Sequence, residues 1–217
     1  MAKPALPPWL HEPAGVLLGT RTKVAVLRAL SGAGSPLSQR EAARRARLTA
    51  RSVGVALEDL VATGVVHRHL GGREHLLTLN EAHELVSALR ALFVADTAYF
   101  PALRRALAAV ARKDKGAGLV TVAVFGSVAR GEESPTSDLD ILLIGQTQTA
   151  AERWRSWYLD AAPELQTRFG ARVNPVAYAL SEAQQHWERK VAPFSDVMRD
   201  AVVVVGALGS GITNLIL

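Results

Sequence analysis

Apolar residues along this chain follow two periods, and the switch between them falls near the middle. From Thr20 to Gly34 the apolar residues Val24, Val26, Leu27 and Leu30 share one face of a helical repeat, with Thr20 placed to cap it and Gly32 to end it. Ser38-Gln39-Arg40-Glu41 has the Ser-x-x-Glu form of a capping box and opens a second helix, Gln39 to about Leu48. Thr49 caps a third, with Val53, Leu57, Leu60 and Val61 on one side and a stop near Gly64. Two strand-like runs, 65–70 and 73–79, flank Gly71-Gly72 and predict a β-hairpin. Ala82, Leu85, Val86, Leu89, Leu92 and Phe93 then recur at helical spacing, Pro101 kinks or restarts the helix, and Leu103, Leu107 and Val110 carry the stripe on.

Beyond residue 116 the pattern shortens into apolar runs. Leu119 to Phe125 predicts a strand buried on both faces, and Ile141 to Ile144 a second. Thr149 to Phe169 reads as a helix with Trp154, Trp157, Tyr158 and Leu165 on its apolar side, stopped by Gly170. Val173 to Leu180 is a third strand. A last helix begins at Ser181 and runs, broken by Pro193, towards Ala207. The fold class expected is α/β (α+β). Its segments are an N-terminal tail at 1–15, a helical unit with a hairpin at 16–80, a helical connector at 81–115, and a small mixed sheet flanked by helices at 116–217. Residues 201–217 carry no charge but fall short of the ~20 apolar residues that a membrane span needs, so they are expected to form a buried terminal helix and tail, with no membrane partner.

Charge changes the picture more than composition does. The chain has 217 residues, 49% hydrophobic, enough for a core in each half, and a formal net charge of +5. Residues 1–80 hold 11 Lys+Arg against 5 Asp+Glu, and residues 81–217 hold 14 against 15, so the halves carry +6 and −1. A polyanion is therefore expected to meet the N-terminal part. The chain has no cysteine, so disulfides and thiolate metal sites are excluded and a reducing cytoplasm is the expected home.

The candidate chemistry lies in residues 124–144. Asp138 and Asp140 are two apart at the mouth of a strand, so both carboxylates leave the same face. Such neighbours repel unless a cation stands with them, and Mg²⁺ (or Mn²⁺) suits oxygen ligands shared between carboxylates and phosphates. Gly126-Ser127 is a small-residue turn before a helix, where backbone N–H groups receive phosphate oxygens.

Gly126-Ser127, Arg130-Gly131 and Ser137-Asp138-Leu139-Asp140, at this spacing, resemble the signature of the DNA polymerase β-like nucleotidyltransferases, closest to their minimal branch. The resemblance covers about the last half of the chain. It implies Asp138 and Asp140 as catalytic metal ligands, Gly126, Ser127, Arg130 and Ser137 as nucleotide-binding residues, and an NTP whose α-phosphorus is attacked by a protein or tRNA acceptor hydroxyl. Members of this superfamily usually add a third carboxylate on the following strand, where this chain has Asn174, which is no general base at neutral pH. Glu182, just past that strand, is either a substitute for that carboxylate or, the reading favoured, a helix first-turn acid.

The three helices and hairpin of residues 16–80 look like a winged helix-turn-helix, similar to bacterial transcription regulators. That likeness implies double-stranded DNA as partner, with Arg40, Arg44, Arg45 and Arg47 near phosphates, Thr49, Arg51 and Ser52 at the groove-facing end of the third helix, Gly54 permitting close approach, and Arg68 and Arg73 beside the wing tip. It also implies a homodimer on two half-sites. His67, His69 and His75 are expected to be plain wing residues. Three functions remain open: a DNA-binding regulator that senses or transfers a nucleotide, a working antitoxin-like or tRNA-directed nucleotidyltransferase with an autoregulatory winged helix, and a pseudoenzyme with a dimerising role.

Overall fold

The computed structural model describes residues 9–71, 74–113, 117–189, 194, 197 and 200–208. Arg73, Pro193 and residues 209–217 lie outside these. The chain divides into two compact units, Met1–Ala98 and Tyr99–Leu217.

In the first unit α1 (Pro13–Leu18) precedes α2 (Arg21–Ser31), α3 (Gln39–Ala46) and α4 (Ala50–Ala62). The expected caps are in place: Thr20 accepts from the Lys23 backbone N–H, Ser38 from Glu41 and Thr49 from Ser52. Strand β1 (Leu37–Ser38) joins the hairpin of β2 (Val66–Gly71) and β3 (Glu74–Leu79) in an antiparallel sheet of order β1-β3-β2. Val26, Leu27, Leu30, Val53, Leu57, Leu60 and Leu77 fill the core under it. Two elements escaped the sequence reading. β1 is two residues long, too short to show a period, and α1 lies across the boundary of the expected tail.

The connector is one helix, α5 (Val86–Ala111), and it needs two corrections. It starts at Val86 and not at Ala82, and it continues through Pro101 without a restart, although proline supplies no N–H to the preceding turn. Its buried positions explain the persistence. Val86, Leu89 and Phe93 belong to the core of the first unit, and Leu103, Leu107 and Val110 to that of the second. By length and composition α5 passes as a membrane span, with 22% of its most apolar window buried.

The second unit is a four-stranded sheet of order β6-β5-β4-β7, from β4 (Leu119–Phe125), β5 (Asp138–Gly145), β6 (Arg172–Ala179) and β7 (Val202–Val205). The short α6 (Gly126–Arg130) follows β4, α7 (Gln148–Phe169) crosses over between β5 and the parallel β6, and α8 (Leu180–Arg189) follows β6. On one face Leu139, Ile141 and Leu143 pack with Leu107, Trp154, Tyr158 and Leu165. Polar tips buried in such a layer need partners. The Trp154 indole N–H donates to the Ala117 carbonyl at 3.1 Å, and the Tyr158 hydroxyl to the Leu107 carbonyl at 2.8 Å. Burial pushes the Tyr158 phenol well above its usual range. On the other face Ala123, Leu142 and Ile144 meet Ala183, Phe194 and Val197. Pro175 sits within β6 without breaking a ladder on both sides, because β6 is an edge strand.

The helix expected from Ser181 forms as α8, but its end towards Ala207 is β7. Val202 to Val205 are all β-branched, which favours extended backbone, and β4 offers them an open edge with which they pair antiparallel. Thr121, fully buried, donates to the Ala207 carbonyl at 2.6 Å and ties down the chain beyond the strand.

Candidate active site

The carboxylate pair stands where β5 begins. Asp140 lies opposite Phe125, the last residue of β4, so the strand pairing carries it to the Gly126 turn. Gly126 has φ +74°, and a Cβ built there would come within 2.7 Å of Asp140 Oδ2. Only glycine combines that backbone conformation with so close an approach. The turn and the second carboxylate therefore form a single place in the molecule.

Neither acid is without a protein partner. The parallel register of β5 and β6 sets Asp138 beside Arg172 and Asp140 beside Asn174. Arg172 Nε forms an ion pair with Asp138 Oδ1 at 3.2 Å, and a second guanidinium nitrogen donates to the Thr136 carbonyl. Asn174 Nδ2 donates to Asp140 Oδ1 at 2.8 Å. The expectation that the pair requires a metal between its members is thus modified: the cation beside Asp138 is a guanidinium. Arg172 went unnoticed in the sequence, although Arg172-Val173-Asn174 repeats the alternation of Asp138-Leu139-Asp140; only the pairing register makes that visible.

The other predicted nucleotide-binding residues are placed less centrally. Arg130 Nε pairs with Glu132 at 2.7 Å, and its Nη1 lies 3.8 Å from Asp200. The Ser137 hydroxyl accepts from the Ser134 backbone N–H at 2.9 Å and so closes the 134–137 loop. Ser127 is half-buried in α6, and its carbonyl accepts from the Glu132 N–H at 2.9 Å. Glu182 falls in the first turn of α8, as expected.

As a donor set for a divalent ion, the two carboxylates fit. They leave one strand on the same face, Asp140 Oδ2 is turned to Gly126, and Mg²⁺ commonly takes one or two protein carboxylates and completes its shell with water and substrate phosphate. Among the described residues no cluster of three His, Cys, Asp or Glu could hold a metal, so a third carboxylate is not supplied. Asn174 occupies the position opposite Asp140 where one would stand.

In the first unit Arg40, Arg44, Arg45, Arg47, Thr49, Arg51 and Arg68 are exposed and Ser52 is half-buried. Arg47 ends α3 in the left-handed region, φ 55°. Only half of the expected capping box forms. Ser38 caps Glu41, but the Glu41 carboxylate turns away to hold Arg44 through two bonds, 2.8 and 2.7 Å, and Arg45 through one of 2.7 Å. Those bonds hold its carboxyl down at about 2. The Thr49 and Ser52 hydroxyls are 2.8 Å apart, bound to each other. The open face of Gly54 is taken by Gln39, whose amide N–H donates to the Ala50 carbonyl at 2.9 Å. The His67 and His69 rings lie 5.5 Å apart, tilted by 46°, and no metal cluster is found among the described residues.

Comparison with known proteins agrees with the second unit. Residues 103–188 match the family model of the nucleotidyltransferase domain, a span that contains the Gly126 turn, both aspartates and Asn174. Over these residues the chain is similar to a nucleotidyltransferase domain. No curated protein matches the chain. A solved structure that matches is human N-acetylserotonin methyltransferase in complex with SAM, at 15% identity and a TM-score of 0.29, over 77% of this chain and 48% of that one. The chain thus spans about half the length of that protein.

Proposed function

We propose that this chain is a DNA-binding regulator whose nucleotidyltransferase domain binds an NTP together with Mg²⁺ (or Mn²⁺) and signals its presence to the DNA-binding part. The observation that carries the reading is the contact of Asp140 with the Gly126 turn, inside the span matched by the family model. Asp138 and Asp140 would hold the ion, which supplies charge neutralisation for the triphosphate. The backbone N–H groups at Gly126 and Ser127 orient phosphate oxygens. Asn174 keeps Asp140 oriented through its amide but takes no proton at neutral pH. An acceptor hydroxyl that attacks the α-phosphorus and expels pyrophosphate therefore finds no base at the position of Asn174. For that reason binding, with transfer to a protein or RNA acceptor as a slower activity, is the reading preferred here.

The N-terminal unit supports the other half of the proposal. Its order of three helices, α2 to α4, followed by a hairpin suits a winged helix-turn-helix, and its charge excess suits duplex DNA. In this reading α4 enters the major groove from Arg51, the arginines of α3 face phosphates, and two copies bind two half-sites in a reducing cytoplasm. A second reading, a domain with a purely structural role, is favoured by the Arg172 ion pair with Asp138 and the Asn174 hydrogen bond to Asp140, which give both carboxylates protein partners.

The test is to incubate the full chain with α-labelled NTPs, Mg²⁺ and candidate acceptors, and to measure duplex binding with and without a non-hydrolysable nucleotide. A nucleotide-dependent change in DNA affinity that disappears in Asp140→Ala supports the proposal. Rapid label transfer makes the chain a working transferase, and indifference to every nucleotide leaves the structural role.

A further inference from the structure

The nucleotide site contains one cation that neither the motif nor the family match calls for. Arg172 stands on the edge strand, directly opposite Asp138, with its guanidinium shared between that carboxylate and the Thr136 carbonyl. Both side chains are about half exposed, 55% for Arg172 and 53% for Asp138, so incoming ligands can reach them. Resting on the nucleotide-binding reading above, we propose that Arg172 couples the two ligands: its ion pair with Asp138 gives way when a divalent ion takes that carboxylate, and the released guanidinium then meets a phosphate of the nucleotide.

The argument is one of sign. Asp138, Asp140 and Arg172 together carry a net charge of −1, with Asn174 neutral. A metal arriving alone must compete with a guanidinium for Asp138 and feels its positive charge, so Arg172 opposes it. A metal arriving with a triphosphate brings excess negative charge, and the same guanidinium then favours the complex; its planar fork suits phosphate oxygens. One residue therefore acts against the ion and for the ion–nucleotide complex. Free divalent metal, abundant in any cell, would be held weakly until a nucleotide accompanies it. A merely structural arginine would shift both affinities in one direction.

The experiment uses the full chain and Mn²⁺, whose free concentration is followed by its paramagnetic resonance signal, first alone and then with the α,β-methylene analogues of ATP and GTP. For Arg172→Gln the expected result is Mn²⁺ bound alone about two- to fivefold tighter, the scale of an exposed ion pair. Mn²⁺–nucleotide is expected to bind about tenfold more weakly, the scale of a lost charge-assisted hydrogen bond. Arg172→Lys, which keeps the charge but not the fork, should restore the weak binding of Mn²⁺ alone and only part of the nucleotide affinity. If both affinities move together in Arg172→Gln, or neither moves while the wild type binds nucleotide, the coupling role is overturned and the nucleotide site stands. If the wild type binds neither analogue with Mn²⁺, the reading of the site falls, and this proposal with it.

Discussion

Replacing Gly126 by alanine tests the geometry on which the site depends, and Gly131 supplies its control. Both glycines have left-handed backbone, φ +74° and +67°, so an alanine at either suffers the same kind of strain, roughly 1–2 kcal/mol. At Gly131 nothing lies within 4 Å of the new methyl group. At Gly126 the methyl would be 2.7 Å from Asp140 Oδ2, where ordinary contact begins at 3.4 Å, so the carboxylate must retreat by about 0.7 Å (3.4 − 2.7). Asp140 is also bonded to Asn174 at 2.8 Å, and a retreat of that size weakens or breaks the bond, a further loss of about 1 kcal/mol. The expected destabilisation is therefore about 2–3 kcal/mol for Gly126→Ala against about 1–2 kcal/mol for Gly131→Ala. Urea unfolding followed by tryptophan fluorescence measures it, since Trp154 and Trp157 both lie in this unit. The larger difference should be in function: Gly126→Ala loses about tenfold or more in Mg²⁺–nucleotide affinity by displacing Asp140, while Gly131→Ala stays within about twofold. Equal nucleotide affinities in the two variants, both correctly folded, would refute the claim that the turn and the dyad are one site.

Asn174→Asp restores a third carboxylate within hydrogen-bonding distance of Asp140, so without metal it should destabilise the domain by about 1–2 kcal/mol through like-charge repulsion. Millimolar Mg²⁺ should reverse the loss, and unfolding curves with and without Mg²⁺ check both. Glu41, held down from 4.5 to about 2 by Arg44 and then Arg45, has a depressed folded-state pKa. Its contribution is therefore fully present above about pH 4.5 and disappears as the pH falls towards 2, which a carboxyl-detected NMR titration would follow. Glu41→Gln frees both arginines and should strengthen binding to every duplex at low salt, as measured by fluorescence anisotropy. Arg44→Ala should weaken all duplexes alike and reduce the salt slope by about one, whereas Arg51→Ala should relax preference for one sequence; competition between specific and random duplexes at two salt concentrations separates them.

The parts legible in the sequence were those governed by local rules. Thr20, Ser38 and Thr49 each cap the helix predicted for them, because a cap depends on residues three apart. Leu119–Phe125 is a strand with the bounds its apolar run suggested, since a buried strand advertises itself by composition. What failed depended on distant partners. Val202–Val205 became a strand because β4 had an edge to offer, which no neighbouring residue reveals. Pro101 sits inside α5 because packing on either side of it outweighs one lost hydrogen bond. At the site, Asp138 and Asp140 were visible through their own spacing, but Arg172 was not, because its proximity exists only once β6 lies alongside β5.

That alongside position has a consequence for how the domain can vary. Arg172 and Asn174 meet the two aspartates because the strands are aligned residue for residue, Asp138 with Arg172 through Gly145 with Ala179. Sliding the edge strand by a single place would present Ala171 and Val173, or Val173 and Pro175, to the same two acids, leaving a bare pair of negative charges without one altered side chain. Insertions or deletions in the turn at Gly170 and Ala171 are therefore potent changes to this domain's electrostatics, more so than most substitutions on its surface.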